Sequence, residues 1–244
     1  MSLPRFIVPA PASPLSENLV MTLDAVVARH LIALRMRPGA ALELLLGEEA
    51  WKADLAELAK ERALVRLVAP LTERREPPVA LHACLPLTAQ LSLWDDWLPG
   101  VVELGATLIQ PVIYARSEYD AKRTAAKRER WERLILAACE QSHRNRVPSL
   151  AEPVPFQALT TWEASQKWVA YECAQGESNP VLRLESLAFT HGPEGGIAQE
   201  EFQALQASGW QSLTLGRSIL RAVTCPAAML GAIQYELGKG EFRL

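Results

Sequence analysis

The chain has no run of eighteen apolar residues, no Cys-x-x-Cys pair, no Gly-x-x-x-x-Gly-Lys-Ser/Thr motif, no internal repeat and no low-complexity tract. Each absence removes a class of protein. Without the long apolar run no membrane-spanning helix is expected. Cys84, Cys139, Cys173 and Cys225 stand far apart with no histidine pairing, so they read as reduced, mostly buried thiols, and no metal site is expected. The missing Gly-Lys-Ser/Thr motif excludes the usual nucleotide-phosphate cradle. Met1-Ser-Leu-Pro-Arg-Phe-Ile-Val8 lacks the charged start, long apolar centre and small-residue cleavage site of a secretory leader, which makes the cytoplasm the expected compartment. His30, His82, His143 and His191 form no Ser–His–Asp pattern.

What is present is ample core: 49% of the 244 residues are hydrophobic, enough for one large domain or two modest ones. A net charge of −3 gives no global sign of a nucleic-acid binder, so any such affinity must sit in a local patch. The densest basic region runs from Arg116 to Arg146, with Arg116, Lys122, Arg123, Lys127, Arg128, Arg130, Arg133, Arg144 and Arg146 set against five carboxylates. By itself this pattern fits a solvated helix laced with i,i+4 pairs such as Glu129 with Arg133.

Residues 1–75 read as a small unit of short strands around one helix, which suggests a small β-barrel. Thr22 is placed as the cap of a helix through Leu23, Val26, Val27, Leu31 and Leu34, ending before Pro38-Gly39. Ala41–Leu46, Trp51–Leu58 and Ala63–Val68 read as strands, with Gly47 a turn. Glu73-Arg-Arg-Glu-Pro-Pro78 is placed as a boundary. Beyond it strands and helices alternate. Strands are expected over 79–84, 108–114, 167–173, 187–190 and 210–215, and helices over 87–104 with a break at Pro99-Gly100, 120–144 and 226–237. The 182–184 stretch is ambiguous. Such a series predicts an α/β domain with a mostly parallel sheet over 76–244.

One stretch of that domain stands out. Leu187-Ala-Phe-Thr-His-Gly-Pro-Glu-Gly-Gly-Ile197 places glycines where a strand should end, and Gly216 ends the next strand. Glycines there let the chain turn through positive φ and bring its own N–H and C=O groups against a bound molecule. The carboxyl edge of a parallel sheet is the usual place for a small ligand. Pro193 withholds one of the donors a phosphate nest would need. Glu194 reads either as a turn residue or as a contact to cofactor or substrate. Arg221, ending the apolar Ile219-Leu220, reads either as a buried ion-pair residue or as a substrate contact.

Gly192-Pro-Glu-Gly-Gly196 followed by Leu215-Gly-x-x-Ile-Leu-Arg221 resembles the knotted (SPOUT) methyltransferases, specifically the 16S ribosomal RNA uracil-N3 methyltransferase family. The resemblance extends to Arg5-Phe-Ile-Val8, His30-Leu-Ile-Ala-Leu-Arg35-Met-Arg-Pro-Gly39, Arg116-Ser117, Arg130-Trp131 and Glu140-Gln-Ser-His-Arg144, and so spans nearly the whole chain. It implies a PUA-like RNA-binding β-barrel at 1–75 and a trefoil-knotted domain at 76–244. It also implies S-adenosylmethionine as cofactor, 16S ribosomal RNA or the small ribosomal subunit as partner, and a homodimer.

Carried onto these positions, Thr190, His191, Gly192, Gly195, Gly196, Leu215, Gly216, Ile219, Leu220 and Thr224 would hold the cofactor, and Arg221 and Glu194 would be catalytic. Arg5, His30, Arg35, Arg116, Arg130, Gln141 and Arg144 would face RNA. Three positions depart from the family pattern: Val223 stands for a glutamate, Gly100 for a lysine, and Ala198 for the Ser or Thr that would complete a capping box with Glu201. The residues alone leave open a different RNA target, or a non-catalytic ribosome-assembly factor that keeps the fold.

Overall fold

The computed structural model describes residues 3–171, 185–214, 216 and 218–238. Cys173, the 182–184 stretch and Leu215 lie outside the described residues. The chain divides into two units: Met1–Glu76 with Cys139–Arg146, and Pro77–Ala138 with Val147–Leu244.

In the first unit β1 (Arg5–Val8), β2 (Val20–Leu23), β3 (Ala41–Leu46), β4 (Glu49–Ala59) and β5 (Arg62–Leu71) form a mixed sheet in the order β1-β3-β4-β5-β2. Only β1 and β3 run parallel. Alternation in β3 to β5 sends Leu42, Leu44, Ala53, Leu55, Val65 and Leu67 inward, where they pack with Phe6, Leu31 and Trp51. Register shifts at Lys52/Ala53 and Leu55/Glu57 are bulges, which sharpen the twist and curl the sheet.

Helix α1 (Ala25–Ala33) begins later than the sequence suggests. Val20–Leu23 is an edge strand on β5, and the cap is Asp24 rather than Thr22: one carboxylate oxygen accepts from the Val26 and Val27 N–H groups, both at 2.9 Å. Its end is also earlier. Arg35 takes a left-handed φ of 57°, donating its N–H to Ile32 O (2.9 Å) while Met36 N–H reaches Leu31 O (3.0 Å). This is a Schellman stop made without glycine.

The second unit carries β6 (Ala80–Pro86), α2 (Leu93–Glu103), β7 (Leu108–Ile113), α3 (Ala121–Ser142, its last residues counted in the first unit), β8 (Ser149–Leu150), β9 (Val154–Pro155), β10 (Gln166–Ala170), β11 (Ser186–His191), α4 (Gln199–Ala207), β12 (Gln211–Leu213) and α5 (Cys225–Leu237). A 3-10 helix covers Phe156–Thr161. The sheet is parallel throughout, in the order β12-β10-β11-β6-β7-β8, with β9 also on β7. Its central strands are largely apolar and buried, Leu81 and Ala83 to Leu85 in β6 and Leu187 to Phe189 in β11, as expected of a parallel sheet.

One helix of this unit differs from expectation. α2 starts at Leu93, after a turn in which Thr88 Oγ1 donates to Gln90 O (2.9 Å), and it continues through Pro99. Proline removes one hydrogen bond there. The burial of Trp94, Trp97, Leu98, Val101 and Val102 on one face keeps the helix together. In α3 helical spacing puts Trp131, Ile135 and Ala138 on a buried face and leaves Arg130, Ala137 and Gln141 exposed. Trp131 stacks on Trp94 with ring centroids 4.6 Å apart.

Candidate active site

Register places the strand ends that precede the two glycine-bearing loops level with each other. Ala170, the last residue of β10, pairs with His191 of β11 on one side and Leu213 of β12 on the other. The loops that leave β11 and β12 therefore start from the same rim of the sheet, two strand spacings or about 10 Å apart.

The first loop begins on a fixed base. Thr190 is fully buried and its hydroxyl donates to Cys84 O (2.7 Å), so the Tyr114 hydroxyl, 2.6 Å away, donates to Thr190. Burial raises the Tyr114 pKa, which keeps that phenol protonated as the donor. Three neighbouring strand ends are joined by this chain of hydroxyls.

His191 is 2% exposed and sits edge-on to Trp97, ring centroids 5.3 Å apart. Its Nδ1 lies 2.8 Å from Gly192 O and donates to it. Burial pushes the imidazole down to about 4, opposed only by that bond. The ring is neutral at pH 7 and its Nε2, a bare lone pair, has no hydrogen-bond partner among the described residues.

Turn geometry then demands glycine for two different reasons. A Cβ on Gly192 would lie 2.8 Å from both the Gly196 carbonyl carbon and the Ile197 nitrogen, backbone atoms that cannot move aside. Gly196 has φ 74° and closes the turn by donating its N–H to Pro193 O (2.8 Å). Glu194 is exposed at the tip. Arg116 is exposed yet committed, lying along Gly195 and donating from a guanidinium nitrogen to its carbonyl (2.6 Å).

The second loop is built differently. Gly216 has φ 112°, and a methyl group on its Cα would meet nothing within 4 Å among the described residues, so within these it is the backbone angle that requires glycine. Ile219 is 81% exposed, Leu220 half-buried, and Thr224 exposed with no side-chain cap to α5. Arg221 is exposed, which does not fit the buried ion-pair alternative. Its carbonyl accepts from Thr224 (2.9 Å) and Cys225 (3.2 Å), leading into α5.

Among the residues expected to face RNA, two are structural in this fold. Arg5 is buried and saturated: Glu43 accepts from two of its nitrogens (2.9 and 2.8 Å), and the His143 and Arg144 carbonyls accept from the third (2.6 and 3.1 Å). Arg144 is 1% exposed and paired with Glu76, which also accepts from the Asn145 and Arg146 N–H groups. Neither guanidinium is available to a phosphate. Arg130 is half-exposed on Asp95 (2.9 Å), and the expected Glu129–Arg133 pair is instead Arg133 on the Glu129 carbonyl (3.4 Å). His30 is exposed, edge-on to Phe6 at 5.2 Å, while Arg35 and Gln141 are exposed.

Sequence reasoning placed Glu201 only as a capping-box residue and missed its tie to Ala115. Buried beside the loop, its carboxylate accepts from Ala115 N–H (2.7 Å) and from Ala198 N–H (3.1 Å), so half of the capping interaction survives without a Ser or Thr at 198. The signal was its position three residues into α4; the tie to Ala115 has no local signature.

A family model for the RNA methyltransferase domain matches residues 75–234. The chain is similar to ribosomal RNA small subunit methyltransferase E of Synechocystis sp., 32% identical over 200 residues that make up 77% of this chain and 63% of the relative. The Bacillus subtilis protein of the same name is 32% identical over 199 residues, 76% of this chain and 77% of that one. The crystal structure of ribosomal RNA small subunit methyltransferase E from Neisseria gonorrhoeae, bound to S-adenosyl methionine, superposes with a TM-score of 0.83 at 32% identity, covering 95% of this chain and 97% of that.

Proposed function

The chain belongs to the RNA methyltransferase domain family, and from that membership we propose that it is an S-adenosylmethionine-dependent methyltransferase acting on N3 of a uridine in 16S ribosomal RNA. The observation that carries the reading is the pair of glycine-bearing loops that leave the sheet from level strand ends, His191 before Gly192–Gly196 and Leu213 before Gly216. Residues 76–244 would be the catalytic domain, the two loops threaded as a trefoil knot, and 1–75 a PUA-like RNA-binding module. The protein would act in the cytoplasm as a homodimer.

The residues present suit the cofactor. Gly192, Gly195 and Gly196 leave the rim without side chains, so backbone groups can approach a ligand, and the neutral His191 adds no charge to repel a sulfonium. Thr190, His191, Gly192, Gly195 and Gly196 would hold it from one loop, and Leu215, Gly216, Ile219, Leu220 and Thr224 from the other. When bound, S-adenosylmethionine supplies an electrophilic methyl group on sulfur. N3 of uracil is protonated in neutral water and engaged in pairing, so the base must be unpaired before it reacts. As the N3 proton leaves, negative charge spreads over N3, O2 and O4. Arg221, exposed on the second loop, would meet that charge, a contact stronger in the transition state than before it. With its pKa near 4 the His191 imidazole is a poor proton acceptor, whereas the exposed Glu194 carboxylate is open to solvent and substrate.

The direct test is mass spectrometry of 16S RNA nucleosides after incubating small subunits from cells lacking the gene with purified protein and labelled S-adenosylmethionine. One N3-methyluridine per subunit is the expected result. Methylation of a different base or atom would refute the assignment, and no methylation despite cofactor binding would point to an assembly factor.

A further inference from the structure

Three consecutive residues after β7 each bond to the far side of the glycine turn. Tyr114 donates to Thr190 Oγ1 (2.6 Å), Ala115 N–H donates to the Glu201 carboxylate (2.7 Å), and Arg116 donates to Gly195 O (2.6 Å). The segment is itself closed into a turn, with Ser117 N–H on Tyr114 O (2.9 Å) and Tyr114 N–H on Ser117 Oγ (3.1 Å). Glu201 is the member that reaches both ways, since its second oxygen accepts from Ala198 N–H at the exit of the glycine turn (3.1 Å). The residue is 8% exposed. A carboxylate with two N–H donors on two different loops is a strut, and charge-assisted bonds of this kind are the strong ones.

We propose that Glu201 is a positioning residue, which with Tyr114 and Arg116 clasps the Gly192–Gly196 turn to the 114–117 turn and holds the first loop in shape before any ligand arrives. A helix cap alone would need only the Ala198 contact. The Ala115 contact serves no helix, and it leads to the turn that carries Arg116. The cofactor consequence rests on the methyltransferase reading; the clasp itself does not.

Glu201→Gln keeps the size but leaves one accepting oxygen where two are used. Two readouts separate the claims. Amide hydrogen exchange at Ala115, Gly196 and Ala198 should quicken about tenfold or more while β10 amides stay unchanged, and the KM for S-adenosylmethionine should rise about tenfold with a smaller change in kcat. Adding Ala198→Ser supplies a hydroxyl cap to α4. That double variant should regain protection in the first turn of α4 yet keep the raised KM. If Ala198→Ser restored KM, or if Glu201→Gln left Ala115 exchange unchanged, Glu201 would be a helix cap and the proposal would be overturned. Should Glu201→Gln fold poorly, Arg116→Ala tests the clasp from its exposed side: faster exchange at Gly196 is expected, and unchanged exchange there overturns it. A wild-type protein that binds no S-adenosylmethionine, with the exchange effects intact, would refute the functional reading and leave the clasp standing.

Discussion

The two loops on the sheet rim start level with each other and are constructed on opposite principles. The loop after β11 is fixed from below by Thr190, Tyr114 and Cys84, from the side by Arg116 and Glu201, and from within by a turn too tight for any Cβ at Gly192. The loop around Gly216 has open space at its glycine and presents Ile219 and Arg221 to solvent. One is a shaped surface made before binding; the other offers side chains to what binds. Pre-organisation lowers the ordering cost of association, and side chains that engage late can favour the transition state over the ground state.

The largest effect should come from disturbing the shaped surface. Gly192→Ala puts a methyl group 2.8 Å from two backbone atoms, so the turn must open. Cofactor binding measured by calorimetry is expected to disappear, with the fold retained by circular dichroism. Gly196→Val, which combines a left-handed φ with a branched side chain, should do the same. If either variant bound the cofactor normally, the first loop would not be the site.

Arg221→Ala tests the other loop. Because the side chain is exposed, its removal leaves no buried charge unpaired and should not unfold the protein. Cofactor affinity should persist while turnover falls about 10²–10³-fold, roughly 2.7–4 kcal/mol, as for loss of one oxyanion donor. A variant with normal kcat would remove Arg221 from the chemistry.

A third difference shows in pH. His191 is buried and neutral, its pKa lowered to about 4, so the unfolded chain binds this proton more readily than the folded one. Its contribution to stability is complete above about pH 6.5 and is lost as pH falls from there to about 4. The whole loss is about 3 kcal/mol. The denaturant midpoint of wild type should fall relative to that of His191→Val as pH drops through that window; parallel curves would mean the imidazole is not held neutral.

How much of this is legible in sequence depends on whether the cause is local. Apolar alternation in Ala41–Leu46 and the 3.6-residue spacing in α3 place those elements, since each pattern follows from the element's own geometry. The α1 cap falls two residues from its expected place because Thr22 and Asp24 are both good caps, and only the pairing of Leu23 with Ala63 decides between them. Pro99 reads as a break when propensity is weighed without the five residues α2 buries around it. Arg5 and Arg144 look like phosphate ligands in sequence. Their carboxylate partners, Glu43 and Glu76, lie 38 and 68 residues away, beyond any local signal. The Glu201–Ala115 tie, 86 residues apart, is invisible for the same reason.

The smallest effect belongs to Gly216→Ala, and its size separates the two loops most sharply. The same chemical change, one methyl group, meets backbone at 2.8 Å when made at Gly192 and, among the described residues, nothing within 4 Å when made at Gly216. What remains at Gly216 is the cost of holding an L-residue at φ 112°, about 1–3 kcal/mol. Because the surroundings are open, the chain can relax towards a more ordinary φ, which places the effect at the lower end of that range. Calorimetry should therefore show S-adenosylmethionine bound about five- to tenfold more weakly, for about 1 kcal/mol. A loss of binding as complete as that of Gly192→Ala would mean that the second loop, too, is a shaped surface whose form is set before the ligand arrives.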